Sequence, residues 1–288
     1  MSTAAPARTT QQATSGPVPK RHRSPGQRVS RWLSRNAIRI YAVLGFTYLF
    51  IPVAYTFVFS FNDSGKQNLK WKGFTLEKWQ NPCGAPDVCP ALVTSLKVGF
   101  LATLIATVLG TMIAFALARH RFRGRTGTNL TIFLPMATPE VVLGASLLAL
   151  FLNLQINLGF NTIVIAHVMF CVSFVVVTVK ARLAGLDPRI EQAAMDLYAD
   201  EWQTFRRVTL PLAAPGILAA ALLSFALSFD DFIITNFNSG NVTTFPKFVY
   251  VSAARGIPAQ ANVIGTAMFV VALLVVLIGQ VLGRRRRV

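Results

Sequence analysis

With 288 residues, 53% of them hydrophobic and only 14% charged, and a mean hydropathy of +0.51, the chain is too apolar for a soluble domain. Several nearly uncharged apolar runs of about 18 residues or more instead describe a polytopic, all-α membrane protein. A net charge of +17 would suit a nucleic-acid ligand, but the basic residues gather at the tails and at the ends of apolar runs. There they report topology, so nucleic acid is not expected as a partner.

Residues 1–36 are rich in Ser, Thr, Ala, Gln and Pro. They carry Arg8, Lys20, Arg21, Arg23, Arg28, Arg31 and Arg35 and no acid. Such a segment has too little apolar surface for a core and is expected to be a disordered cytoplasmic tail drawn to anionic lipid. The apolar run at 37–61 is too long for a cleavable signal and lacks a small-residue cleavage site, so it predicts a retained first span. Residues 62–91 then form a polar, aromatic-spotted outer loop. Outside the cell a disulfide between Cys83 and Cys89 would persist; two free thiols are the alternative. A metal site there is not expected, because the loop holds no His. Cys171, inside a later apolar run, reads as a small buried hydrophobe.

The second span is predicted at 92–118, with Lys97 able to snorkel outward. Arg119-His120-Arg121-Phe122-Arg123-Gly124-Arg125 follows as an arginine-rich inner loop. The third span, 130–152, contains Pro135, Pro139 and Glu140, and its prolines predict a kinked helix. A short uncharged outer loop precedes the fourth span at 160–179, after which Lys180, Arg182 and Arg189 mark the inside. The fifth span is predicted at 212–237. A longer outer segment, 238–261, is punctuated by Pro246, Gly256 and Pro258. The sixth span, 262–282, ends in Arg284-Arg285-Arg286-Arg287. Six spans with both termini cytoplasmic satisfy these clusters together. Ten Arg and one Lys on the tail and first inner loop outweigh Lys66, Lys70, Lys72 and Lys78 on the first outer loop.

The inner segment 187–211 is the longest polar interruption in the second half. Asp187-Pro188 reads as an N-cap followed by Pro at the first helical position. Ile190, Ala193, Ala194 and Leu197 then recur at i, i+3, i+4 and i+7, one apolar stripe on a short helix. A second short helical piece is predicted around Trp202, Phe205 and Val208, closed by Leu210-Pro211. Such a helix pair beside a membrane is suited to docking a soluble partner.

No phosphate-binding loop, H-E-x-x-H, G-x-S-x-G or C-x-x-C occurs, and His22, His120 and His167 are scattered. No catalytic constellation, metal site or cofactor is therefore expected. Three acids fall within apolar runs: Glu140 near the middle of the third span, and Asp230 and Asp231 in the outer half of the fifth. An ionised acid at depth costs about 2.5–3.5 kcal/mol, and no Lys or Arg lies deep in a span to pair with them. They suit a path for something cationic, a pairing with a partner subunit, or hydrogen-bonded packing.

The pattern Gln192-Ala193-Ala194-x-x-x-Tyr198 with Leu210-Pro211 resembles the E-A-A-x-x-x-G…L-P loop of binding-protein-dependent ABC importer permeases. In that family the loop is a coupling helix seated in the ATPase subunit. Gln192 stands for the usual Glu, and Glu191 lies about 100° around the helix from it. Tyr198 stands for the usual Gly. Either the turn there is right-handed or Tyr198 costs about 1–2 kcal/mol in a left-handed one. Further motifs resemble the second permease subunit of spermidine/putrescine importers. These are Phe59-Ser60-Phe61-Asn62, Trp71-x-Gly73-Phe74-Thr75, Arg121-Phe122-Arg123-Gly124, Thr138-Pro139-Glu140-Val141-Val142, Phe174 to Val179, and Leu223-Ser224-Phe225-x-x-Ser228-Phe229-Asp230-Asp231-Phe232.

The resemblance implies a type I importer permease fold in a bacterial cytoplasmic (inner) membrane. It also implies two copies of an ABC ATPase, a homologous second permease and an extracytoplasmic substrate-binding protein as partners, besides membrane lipid. Polyamines are the implied cargo, and their charges would give the in-span acids a purpose. Related permeases carry opines, aminoethylphosphonate, thiamine or ferric iron. A gradient-driven cation carrier is the alternative from another class; it would have no use for the coupling loop.

Overall fold

The computed structural model describes residues 25–64, 68–120, 122–254 and 256–285. The basic residues before Pro25, together with Lys66, Arg121, Arg286 and Arg287, lie outside them. The chain divides into two units, Met1–Ala54 and Tyr55–Val288. Helix α1 spans Pro25–Phe59 and so begins within the segment expected to be disordered up to residue 36. Pro25 at its first position is compatible with a helix start, because its missing N–H has no partner to lose there.

Among the described residues of the second unit, helices joined by turns and loops make up the regular structure, with one isolated antiparallel bridge between Asn62 and Phe74. Its helices are α2 (Glu77–Gln80), α3 (Val88–Arg119), α4 (Arg125–Ala137), α5 (Glu140–Asn153) and α6 (Phe160–Ala184). They continue with α7 (Arg189–Asp196), α8 (Glu201–Thr204), a π-helical turn (Phe205–Thr209), α9 (Leu210–Asp230), α10 (Ile233–Asn238), α11 (Phe245–Ala253) and α12 (Ala259–Arg285). Among the described residues, five helical stretches can cross a membrane by length and composition: Asn36–Phe59, Val88–Arg119, Phe160–Ala184, Glu201–Asp230 and Ala259–Gly279. The pair α4 and α5 makes a sixth if its two arms are one broken span.

The core forms where α3, α6 and α9 meet. Ala102, Ala106, Gly110 and Ala114 place a small residue every fourth position on the buried face of α3. That spacing lets backbones approach closely, the usual device where lipid supplies no hydrophobic drive between helices. A Cβ added to Gly110 would come within 2.6 Å of Val175 on α6, and one on Gly99 within 3.2 Å of Phe225 on α9.

Three expectations are corrected. The third span is not a kinked helix: α4 and α5 meet at 106°. Pro139 has no N–H to continue the ladder, and Thr138 before it is extended (ψ 132°), whereas Pro135 stays inside α4. The fifth span does not run to 237, because α9 stops at Asp230 and α10 starts afresh at Ile233. The helical piece at Trp202 is not separate. It continues through the π turn into α9, so Leu210-Pro211 opens a helix rather than closing a segment. The stretch 238–261 contains a helix, α11. Lys247 holds its entry by donating to Ser239 Oγ (2.6 Å) and to the carbonyls of Gly240 (3.1 Å) and Val242 (3.2 Å). Partial burial pushes its ammonium pKa down.

Residues 55–64 and 68–80 fold into a small lobe around a buried asparagine pair. Asn62 Nδ2 donates to Asn68 Oδ1 (2.6 Å) and to the Lys70 carbonyl (2.8 Å), and Asn68 Nδ2 donates to the Phe59 carbonyl (2.7 Å). Phe61 stacks between Phe74 and Trp79, with centroids 5.6 and 5.5 Å away. Cys83 and Cys89 are joined, with Cα atoms 5.3 Å apart.

Candidate functional site

Two places concentrate polar chemistry: the α7 knuckle at one end of the bundle, and the two helix breaks.

The helix α7 begins one residue later than expected. Asp187 Oδ1 accepts the Arg189 N–H at 2.9 Å across the Pro188 turn. The stripe at Ile190, Ala193, Ala194 and Leu197 lies on a helix with no buried residue, and Leu197 is 81% exposed. The helix closes with paired bonds typical of a left-handed C-terminal turn: Tyr198 N–H to the Met195 carbonyl (2.9 Å) and Ala199 N–H to the Ala194 carbonyl (3.2 Å). Tyr198 has φ 63°, so the turn is left-handed although a tyrosine occupies it. Its ring is 98% exposed and makes up nothing by packing. Tyr198→Gly is therefore expected to raise the melting temperature of the purified permease by about 2–4 °C. The left-handed penalty of about 1–2 kcal/mol disappears against a smaller loss from glycine's unfolded-state freedom. A fall in a thermal-shift assay would contradict the strain.

Glu191, unlike most of α7, is largely covered. It forms a two-pronged ion pair with Arg119, the last residue of α3, and accepts from Thr209 Oγ1 of the π turn at 2.7 Å. Beside it a cavity of about 620 Å³ separates the end of α3 from α7 and α8, lined by Met112, Phe115, Met195, Glu201 and Phe205 among others. Asp200 caps α8, accepting the Gln203 N–H at 2.6 Å.

The structure places the three in-span acids at the two breaks rather than within continuous helices. Glu140 is the exposed first residue of α5, where the helix dipole favours an anion. Asp230 ends α9 and is exposed, while Asp231 is buried. Helix α10 lies along α5, with Asn238 Nδ2 donating to the Gly144 carbonyl at 3.3 Å. It thereby sets the break at Asp230–Asp231 beside the helix that Glu140 opens.

Asp231 has a partner that the sequence reading lacked. Its two oxygens accept the N–H groups of Ile234 (3.3 Å) and Thr235 (2.8 Å), capping α10. His167, 1% exposed on α6, lies 3.2 Å from Asp231 through Nε2. The same nitrogen is 2.9 Å from Thr235 Oγ1, and Nδ1 is 2.7 Å from Ser228 Oγ. A carboxylate only accepts, so Nε2 carries the proton that faces it. A lone His in an apolar run gives no periodic signal, and its partners lie 61 and 68 residues away along the chain. Among the described residues, no group of three or more His, Cys, Asp or Glu could hold a metal ion.

Residues 106–288 match the family described as binding-protein-dependent transport system inner membrane component. The spermidine/putrescine transport system permease protein PotC of Haemophilus influenzae is 35% identical over 258 residues, covering 89% of this chain and 99% of that protein. The putrescine transport system permease protein PotI of Escherichia coli K12 is 38% identical over 233 residues, covering 78% and 82%. Among solved structures, the fold matches a chain of a bacterial ABC transporter involved in import of the polysaccharide alginate. The TM-score is 0.62 at 14% identity, over 90% of this chain and 99% of that one. An inward-facing MetNI methionine ABC transporter gives 0.58 at 15% identity, over 69% and 95%. A helical bundle of this architecture, similar along most of its length to known permeases, is a transporter component rather than an enzyme. The chain belongs to the family of binding-protein-dependent transport system inner membrane components.

Proposed function

We propose that this chain is one of two homologous permease subunits of an ATP-driven polyamine importer, served by two ATPase copies and an extracytoplasmic binding protein. The observation that carries the cargo is the 35% identity to a spermidine/putrescine permease over 89% of the chain. The helix breaks supply a matching chemistry. Glu140 and Asp230 are exposed carboxylates beside unwound backbone, as an ammonium-bearing cargo needs, and Asp231 holds the second break in shape. The charge clusters favour both termini and the 187–211 loop in the cytoplasm, with the segment bearing Cys83 and Cys89 outside. Residues 37–288 form the permease domain and residues 1–36 a basic lipid-facing tail. Ile190, Gln192, Ala193, Ala194, Leu197 and Tyr198 form the face offered to the ATPase, and Leu210 and Pro211 carry its motion into α9. ATP-driven closure of the ATPases would tilt α7 and alternate access to the acids.

The complete complex, reconstituted in vesicles, tests this with labelled spermidine. Glu140→Gln and Asp230→Asn are each expected to cut ATP-dependent uptake about tenfold, since a charged hydrogen bond contributes about 1.5–3 kcal/mol. Unchanged uptake would remove that acid from the path. Absence of spermidine uptake by the unaltered complex would refute the cargo.

A further inference from the structure

The motif that names the coupling loop starts at Gln192, yet the side chain tying α7 to the membrane helices is its neighbour Glu191. We infer that Arg119 and Glu191 form a positioning strut that makes α3 move with α7. The inference rests on the coupling role proposed for α7.

Three observations carry it. First, α7 packs on α8 and the π turn, and a half-open pocket of about 620 Å³ lies between it and the end of α3, which otherwise meets the π turn through the Phe115–Phe205 ring contact (5.2 Å). Loose packing transmits little force, because a void lined by few contacts deforms before its walls move. Second, the Arg119 guanidinium bridges that gap, pairing through both terminal nitrogens with both Glu191 oxygens. A planar fork on a carboxylate fixes orientation as well as distance, which a lysine would not. Third, Glu191 Oε1 also accepts from Thr209 Oγ1 in the π turn leading into α9. A single carboxylate therefore touches the knuckle's outlets to both α3 and α9. The side chain of Glu191 is only 16% exposed, against 37% for Arg119, so the pair is screened from water more than a surface ion pair.

A strut differs from a mere stabiliser in what it transmits, so the test reads motion. Spin labels are placed at Met112→Cys on α3 and Met195→Cys on α7 in the complete reconstituted complex. The distance between them is measured without nucleotide and after trapping with ATP and vanadate. With the strut intact the distance is expected to stay fixed, because the two helices travel together. In Glu191→Gln or Arg119→Gln it should shift or broaden on trapping, while nucleotide hydrolysis continues and cargo moved per ATP falls about fivefold or more. The exchange Arg119→Glu with Glu191→Arg should restore the fixed distance. A distance that changes on trapping in the unaltered complex overturns the strut. So does a neutral variant that keeps the distance fixed, or one that loses the ATPase altogether and so shows a docking role. Distance and hydrolysis are read without reference to cargo, so a failure to transport spermidine would count against the cargo and not against the strut.

Discussion

Asp231→Ala is expected to lower the melting temperature of the detergent-solubilised protein by about 10 °C, a larger effect than any other single change among the three acids. The carboxylate is 8% exposed as a residue and serves two elements at once. It satisfies the first free N–H groups of α10 at Ile234 and Thr235, and it faces Nε2 of His167 on α6. Removing one partner of a buried pair leaves the other uncompensated, at a cost of about 3–5 kcal/mol. In a protein of this size that corresponds to about 2–4 °C per kcal/mol. Asp231→Asn keeps an oxygen for the α10 cap and should lie between the two. His167→Ala on its own should be nearly as damaging as Asp231→Ala. The double substitution should cost less than the sum, because neither group is then left buried without the other. Strict additivity in thermal unfolding would show that the two side chains do not act as a pair.

That pair also marks the limit of what the sequence discloses. Hydropathy alone locates the apolar runs, because crossing lipid demands about 20 apolar residues and few other pressures produce such stretches. Hydropathy is blind to direction within a run, so 130–152 and 212–237 read as single spans. The signals of the breaks were nonetheless present. Pro139 followed by Glu140 in a first turn is a helix start, as is Asp231 three and four residues before the N–H groups it caps. Both were outweighed by the apolar residues around them. Pro211 reads as a stop, yet the helix entered at Glu201 passes through the π turn and continues into α9. The α7 stripe was legible because its period is local. The Arg119–Glu191 link was not, because its partners are 72 residues apart and neither belongs to the apolar pattern.

Leu197→Asp, or Ala193→Glu, is expected to reduce ATPase co-purifying with this chain by about thirtyfold while leaving the permease folded. Both positions lie on the exposed stripe of α7, and Leu197 makes no buried contact within its own chain. Its exposed surface is therefore free to enter a partner's groove. Central apolar anchors of such interfaces contribute about 2 kcal/mol or more, which is the thirtyfold. A carboxylate in place of leucine adds the cost of desolvating a charge where none is paired. Ala193 acts differently: its small side chain permits close approach, and a longer one would hold the ATPase off α7. Because neither residue packs against the bundle, the melting temperature should change little, which separates lost docking from unfolding. Gln192→Glu is a contrasting control, since it moves the motif toward the family's usual residue and should leave the ATPase bound. If Leu197→Asp and Ala193→Glu both retained the ATPase at full occupancy, the exposed face of α7 would not be its seat, and the path from nucleotide to the helix breaks would have to begin elsewhere.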